Sequence, residues 1–285
     1  MKNLDLIKND PYLAEFIKQH KIPDYYIDEH YNSFLRVLNS RGKCLNCDGL
    51  EYCSQLSKGQ RLSLTYDGVL IEEIEYCDYA LNRKNKDSLL KKYVYCDIAK
   101  NLADVDLSNI EFEKNQKELF VLLSSILLEK SNKGLYIIGD LGVGKTYLCT
   151  GLANSLVKKG KKVAFVKVAN FFNEMRAAIG SDSDIINKTI NNLKNVDYLF
   201  LDDIGSESVS EFVRDDILFR ILDYRMDNKM ITIFTSNLNK SDLLKHYQYD
   251  RKEKANLMNA KRLIERIDIL ADDYVLSGSN LRRDK

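Results

Sequence analysis

Proline is scarce in this sequence, with only Pro11 and Pro23 among 285 residues. Long Pro-rich linkers are therefore not expected. No window approaches the roughly 18 unbroken apolar residues that a membrane-spanning helix needs, so no membrane association is predicted. The opening stretch, MKNLDLIKNDPYL, lacks the apolar core of about 7–15 residues that marks a secretory signal, and a cytoplasmic location follows as the expectation. A surplus of charge is missing too. Forty-three basic and 42 acidic residues leave a net charge of +1, which argues against a protein that coats DNA with a strongly basic surface but allows a local basic patch. What remains is 45% hydrophobic and 30% charged, enough to bury cores in about two domains of ~100–200 residues each.

The six cysteines are Cys44, Cys47, Cys53, Cys77, Cys96 and Cys149. In a reducing compartment disulfides are not expected. Three cluster as Cys44-x2-Cys47-x5-Cys53 inside RGKCLNCDGLEYC. Two thiolates on one tight turn are a usual grip for tetrahedral Zn²⁺, with Zn–S near ~2.3 Å. Cys77, arriving after the strand-like IEEIEY, is the natural fourth ligand, and Cys96 is the reserve. A redox CxxC would need a following helix, which LNCDGLEYC does not supply. Ordinary free thiols are the competing reading.

The chain divides by pattern. Residues 11–20 read as a short helix with Pro11 in its first turn, and residues 24–39 as one longer amphipathic helix with Tyr26, His30, Phe34 and Val37 on one face. His30 on that face reads as packed or surface-exposed rather than as a metal ligand. RLSLTY and VLIEEIEY alternate around Asp67-Gly68, a hairpin signal. This segment carries little core of its own, and a metal would supply the missing stability. The predicted organisation is a small helical zinc-binding domain over residues 1–108 and a second domain over 109–285, with the boundary at about 105–112. The helix QKELFVLLSSILLEK opens the second domain. Beyond it the strands GLYIIG, KVAFVKV, VDYLFLDD, MITIFTSN and DDYVL alternate with helical stretches, which predicts an α/β fold with a parallel sheet and flanking helices.

The chemistry concentrates in that sheet. Gly139-Asp140-Leu141-Gly142-Val143-Gly144-Lys145-Thr146 satisfies G-x-x-x-x-G-K-[ST], after a strand and before the helix that Tyr147 enters. Gly142 and Gly144 let the backbone turn so that its N–H groups face phosphates, and the helix N-terminus adds a positive end. Lys145, expected on an exposed loop, would reach the β/γ-phosphates, and Thr146 would ligate Mg²⁺. The strand YLFLDD delivers two carboxylates: Asp202 for Mg²⁺ and Asp203 to polarise the attacking water. The strand ending in Ser236-Asn237 would lie between the P-loop strand and the acidic strand, with the Asn237 amide orienting that water. Arg262 and Arg266 lie four apart on one helical face, and Arg266 is the candidate to stabilise a neighbour's γ-phosphate.

GDLGVGKT, YLFLDDIGSE, FTSN and AKRLIERIDIL, in this order and spacing, resemble the AAA+ ATPases of the bacterial helicase-loader group over about residues 112–285. A cysteine knuckle ahead of the ATPase is what separates one branch of that group from its closest relatives. The resemblance implies an ATP-dependent loader that places the hexameric replicative helicase on single-stranded DNA at replication initiation or restart. Its N-terminal domain would hold the helicase, and its ATPase subunits would associate on the helicase ring. By motif, Lys145 and Thr146 take the Walker A roles, Asp202 and Asp203 the Walker B roles, Asn237 sensor 1 and Arg266 the arginine finger, while Arg282 approximates the basic sensor-2 tail. Asp203 stands where many relatives carry glutamate, which implies slow hydrolysis, stimulated by partner or single-stranded DNA. No histidine lies near positions 55–65, so the zinc site carried over is all-cysteine. The DNA-contacting stretches match NEMRAAIG and SVSEFVRDD, with Arg176, Phe212 and Arg214 as candidates. Two other readings stay open: a transposon-type AAA+ regulator, which would need no knuckle, and a nucleotide-switched adaptor with negligible hydrolysis.

Overall fold

Short polar caps and single glycines delimit the N-terminal elements in a computed structural model that describes residues 2–110, 112–179, 183–249 and 256–281. Helix α1 (Leu4–Lys8) precedes α2 (Pro11–His20), where Asp10 accepts the Leu13 N–H at 2.9 Å and Lys21 ends the helix in the left-handed region at φ 53°. The single helix expected over 24–39 is two, α3 (Asp24–Glu29) and α4 (Tyr31–Gly42), because the chain bends at His30 (φ −97°, ψ 21°). The His30 ring packs on Tyr26 with centroids 4.3 Å apart. Strands β1 (Gln60–Tyr66) and β2 (Leu70–Tyr76) form the expected antiparallel hairpin, closed by Tyr66 opposite Leu70.

One expectation is corrected here. The N-terminal unit has a core of its own: Ile7, Leu13, Phe16, Ile22, Ile27, Phe34, Val37 and Leu64 are all buried together. At ~1.5–3 kcal/mol for each fully buried large aliphatic or aromatic side chain, such a core supports folding without a metal supplying all the stability. The helix α1, which brings Ile7, was not legible because five residues show too little periodicity.

Contacts divide the chain between Asn85 and Lys86, inside helix α5 (Asp78–Leu90), rather than at 105–112. Residues 86–110 join the second unit because Leu89, Tyr93, Ile98, Leu107 and Ile110 pack into its core. They also bring β3 (Tyr95–Cys96), a two-residue edge strand, which takes Cys96 into that unit's sheet.

The second unit continues through α6 (Lys117–Leu127), β4 (Gly134–Ile138), α7 (Lys145–Lys158), β5 (Val163–Lys167), α8 (Val168–Ala177), α9 (Ser183–Asn195) and β6 (Tyr198–Asp202). A π-helical stretch, Phe212–Phe219, runs into α10 (Arg220–Asp227). Strand β7 (Ile231–Ser236), α11 (Lys240–Gln248), α12 (Leu257–Leu270) and β8 (Ala271–Val275) complete it. The six strands form one parallel sheet in the order β3-β5-β6-β7-β4-β8, so β7 does lie between the P-loop strand and the acidic strand. Successive strand residues point to opposite faces, and each face has its core. Tyr136, Val166, Leu199 and Phe234 pack on one side; Ile137, Phe165, Phe200 and Ile233 pack on the other. Among the described residues no helix is long and apolar enough to cross a membrane.

Candidate functional site

Strand β4 ends at Ile138 and α7 begins at Lys145, which leaves Gly139–Gly144 as the turn. Gly142 (φ 87°) and Gly144 (φ 97°) both adopt left-handed backbone, closed to most side chains, which is why the turn needs glycine there. Leu141 and Tyr147 are exposed on its outside, while Val143 is buried. Lys145 is not on an exposed loop as expected. It is 7% exposed, and Nζ donates to Gly139 O at 2.6 Å, Asp140 O at 2.9 Å and Asn237 Oδ1 at 2.8 Å.

The acidic strand meets the turn side chain to side chain. Thr146 Oγ1 donates to Asp202 Oδ1 at 2.9 Å, so the two residues suited to Mg²⁺ are in contact. Thr235 Oγ1 donates to the same oxygen at 2.7 Å and accepts the Asp203 N–H at 2.9 Å. Burial pushes the Asp202 carboxyl above its usual range, against the two hydroxyl donors and with the neighbouring Asp203 adding to the rise. Asp203 sits in the left-handed region at φ 60°, and its Oδ1 accepts the Asn237 Nδ2–H at 3.1 Å. The Asn237 amide thus bridges Lys145 and Asp203. Asp202, Asp203, Asn237, Lys145 and Thr146, drawn from the ends of two strands and the start of a helix, form with Thr235 one hydrogen-bonded group at the carboxyl ends of β4, β6 and β7, where ligands of open parallel sheets bind.

Two residues that support this group were missed in the sequence. Thr235 orients both aspartates, and its only signal was its place in FTSN beside the pair that was noticed. Glu207 is 3% exposed; its carboxylate accepts the Gly205 N–H at 2.8 Å and a very short bond from the Tyr247 hydroxyl, which secures the loop behind Asp203. Nothing in the sequence set it apart from surface glutamates.

The remaining candidates separate. Arg266, on α12, pairs through Nε with Asp223 at 3.0 Å and through Nη1 with Glu265 at 2.8 Å, over the Phe219 ring, and none of these partners belongs to the P-loop. Arg262 lies over the same ring. Arg214 must be corrected as a nucleic-acid contact. It is fully buried, bidentate to Asp215 and bonded to Tyr247 O at 3.0 Å, so it faces the protein interior. Phe212 is half-buried against the core, which removes much of the ring face that base stacking would need. Arg176 donates to Ser208 O at 2.9 Å and Asn173 Oδ1 at 2.5 Å near the surface. Arg282 lies outside the described residues.

In the N-terminal unit Cys44, Cys47, Cys53 and Cys77 line one cavity of about 90 Å³. The Gly59 N–H points at Cys53 Sγ (3.3 Å) and Gln55 Nε2 at Cys44 Sγ (3.3 Å). The backbone N–H groups of Gly59 and Gln55 hold the Cys53 thiol below its ordinary range. Four thiols are a donor set of the zinc-binding type, and Cys77 lines this cavity with the three clustered cysteines, while Cys96 lies in the sheet of the second unit. Among the described residues, however, no three His, Cys, Asp or Glu side chains are gathered closely enough to hold a metal ion.

A P-loop between a buried parallel strand and its helix, faced by an acidic strand, defines a nucleotide-binding α/β protein. A family model described as "IstB-like ATP binding protein" matches residues 55–271, and the chain belongs to that family. The replicative helicase loader DnaI of Bacillus subtilis (strain 168) is 29% identical over 97% of this chain and 91% of the relative. A crystal structure of DnaI is similar at 30% identity, with a TM-score of 0.56, covering 68% of this chain and 99% of that one. A crystal structure of the DnaC helicase loader, at 22% identity and TM-score 0.52, covers 62% of this chain and 99% of that one and shares the fold.

Proposed function

We propose that the protein is an ATP-dependent loader of a hexameric replicative helicase onto single-stranded DNA. The observation that carries this is the similarity to a replicative helicase loader along 97% of the chain, through both compact units rather than the ATPase core alone. A transposon-type regulator would share the P-loop sheet but has no need of the cysteine-lined N-terminal unit.

In this reading Lys145 neutralises the β/γ-phosphates, and Thr146 and Asp202 hold Mg²⁺, which offsets charge on the phosphates when bound. Asp203 accepts a proton from the attacking water, and Asn237, already bonded to Asp203 and Lys145, keeps that water and the lysine in register. The short Asp203 side chain favours slow turnover, raised by helicase or single-stranded DNA. Arg266 serves a neighbouring subunit, since its own contacts lie on α10 and α12. Arg176 remains a candidate for a DNA phosphate, and Arg282 for the nucleotide. The N-terminal unit, residues 1–85 by contact rather than 1–108, engages the helicase and holds zinc through Cys44, Cys47, Cys53 and Cys77.

The test is loading itself. The full chain, mixed with the replicative hexamer from the same cell and circular single-stranded DNA, is expected to deposit the hexamer on the circle only with ATP. Failure to bind the hexamer at all would refute the reading.

A further inference from the structure

The P-loop is tied down by two groups that lie outside it. Gln116 ends the 3₁₀ turn Lys114–Gln116 ahead of α6 and is 3% exposed. Its Oε1 accepts the Glu113 N–H at 3.0 Å, half of a capping box whose other half is the Glu113 side chain on the Gln116 N–H. That contact settles which end of the amide is which. Nε2 is left to donate to Val143 O, in the P-loop, at 3.0 Å. From the far end of the unit, past β8, the Leu281 N–H donates to Gly142 O at 3.1 Å. A Cβ at Gly144 would collide with the Gln116 amide.

The peptide bond is planar and, throughout the described residues, trans. A carbonyl and the N–H of the same peptide unit therefore point in opposite directions. Gln116 holds the Val143 carbonyl and so turns the Gly144 N–H the other way. Leu281 holds the Gly142 carbonyl and so turns the Val143 N–H the other way. Neither N–H has an acceptor among the described residues, although every neighbouring carbonyl of the turn from Gly139 to Gly144, Leu141 excepted, is bonded. Two donors with no partner among the described residues, on peptides clamped from behind, are what an anion site built from backbone requires.

We propose that Gln116 is a positioning residue for phosphate binding: with the Leu281 N–H it locks the Gly142–Gly144 peptides so that the Val143 and Gly144 N–H groups are aimed at a polyphosphate before it arrives. The inference rests on ATP binding at the P-loop. Pre-aimed donors spare the ligand the cost of ordering the loop, so their release shows as weaker binding. Gln116 has no contact with the reacting atoms and acts through the Val143 carbonyl.

Two substitutions separate aiming from mere helix capping. Gln116→Glu keeps an acceptor for the Glu113 N–H but cannot donate to Val143 O when ionised; Gln116→Met keeps the length, loses both bonds and adds no charge. The full-length chain is titrated with Mg-ATP, with Mg-tripolyphosphate as a competitor that has no base or sugar, and its melting point is read without nucleotide. Both variants are expected to bind ATP and tripolyphosphate about tenfold more weakly, the size of one charge-assisted hydrogen bond, while still melting cooperatively. Unchanged dissociation constants in either cooperatively melting variant would overturn the proposal. So would weaker ATP binding with tripolyphosphate unaffected, or a smaller active fraction at an unchanged constant. A wild-type chain that binds no ATP would instead sink the nucleotide reading beneath it.

Discussion

At the scale of single residues, two buried cations carry opposite kinds of information. Lys145 is held by two P-loop carbonyls and Asn237, so its ammonium replaces solvent with three protein acceptors. Lys145→Ala is expected to abolish ATP binding in equilibrium titrations. It should also lower the stability of the ATPase unit by about 0.5–1.5 kcal/mol in urea, the net worth of a typical hydrogen bond, because Asp140 and Asn237 are exposed and water can replace the lost donor. Arg225 has no part in the chemistry. Fully buried, it donates through Nη1 to Leu193 O, Lys194 O and Val196 O, through Nη2 to Ile231 O and through Nε to Thr232 Oγ1. It caps the last turn of α9 and ties it to β7. Arg225→Met keeps the bulk but strands those acceptors, and a loss of about 3–5 kcal/mol in urea unfolding is expected, the size of losing one partner from a buried charged network. An undiminished midpoint would count against that account.

Among the elements, the segment between α5 and α6 shows how a sequence with little periodicity becomes structure. Asp106 accepts from Ser108 N (3.0 Å), Ser108 Oγ (2.6 Å), Ser155 Oγ (3.1 Å) and Lys158 Nζ (2.7 Å), stapling the turn to α7. Burial by itself would raise this carboxyl, but the Lys158 ammonium and the Ser108 donors outweigh it and hold it well below the usual carboxylate range. A depressed folded-state value means the staple's contribution is present above the unfolded pKa and fades as pH falls through the folded one. Wild type should therefore lose urea resistance below about pH 4, and Asp106→Asn, uncharged throughout, should show a shallower decline there. The cysteine-lined turn gives the second prediction at this scale. Freshly purified protein is expected to carry one zinc per chain. Cys44→Ser or a strong chelator should remove it and lower the first melting transition. ATP binding should persist, because the N-terminal core and the sheet's cores share no residues. Metal analysis that finds no zinc would remove the metal from this account.

At the scale of the whole molecule, the proposed action of Arg266 on a neighbouring subunit has its own test. Arg266 is anchored by Asp223 and Glu265 over Phe219, not by any group around Lys145. Arg266→Ala should bind ATP as wild type does and lose hydrolysis only where subunits assemble, on the helicase or on single-stranded DNA. The size of that loss is expected at roughly 10³-fold or more, as for arginines that act in trans on a γ-phosphate. Mixing it with Lys145→Ala gives the sharper measurement. Some interfaces would then join an intact pocket to an intact arginine, and activity should return from two inactive proteins. Weakened ATP binding by isolated Arg266→Ala would place the arginine in its own pocket.

Sequence alone determined the parallel sheet, its order around the P-loop, the hairpin at Asp67-Gly68 and the meeting of Lys145, Thr146, Asp202, Asp203 and Asn237 at one end of the sheet. It could do so because those features depend on local rules: unbroken apolar strands, glycines where φ is positive, and a lysine directly at a helix start. Only the tertiary structure decided what depends on partners distant in the chain. Arg214 and Phe212 are DNA-contact candidates by resemblance, yet the packing of α11 and α12 turns Arg214 inward to Asp215 and Tyr247. The boundary at 85/86 rather than 105–112 follows from β3 pairing with β5, a contact spanning some 70 residues that no local pattern announces. The same holds for Gln116, which looks like any polar residue opening a helix until the P-loop carbonyl of Val143 folds against its amide.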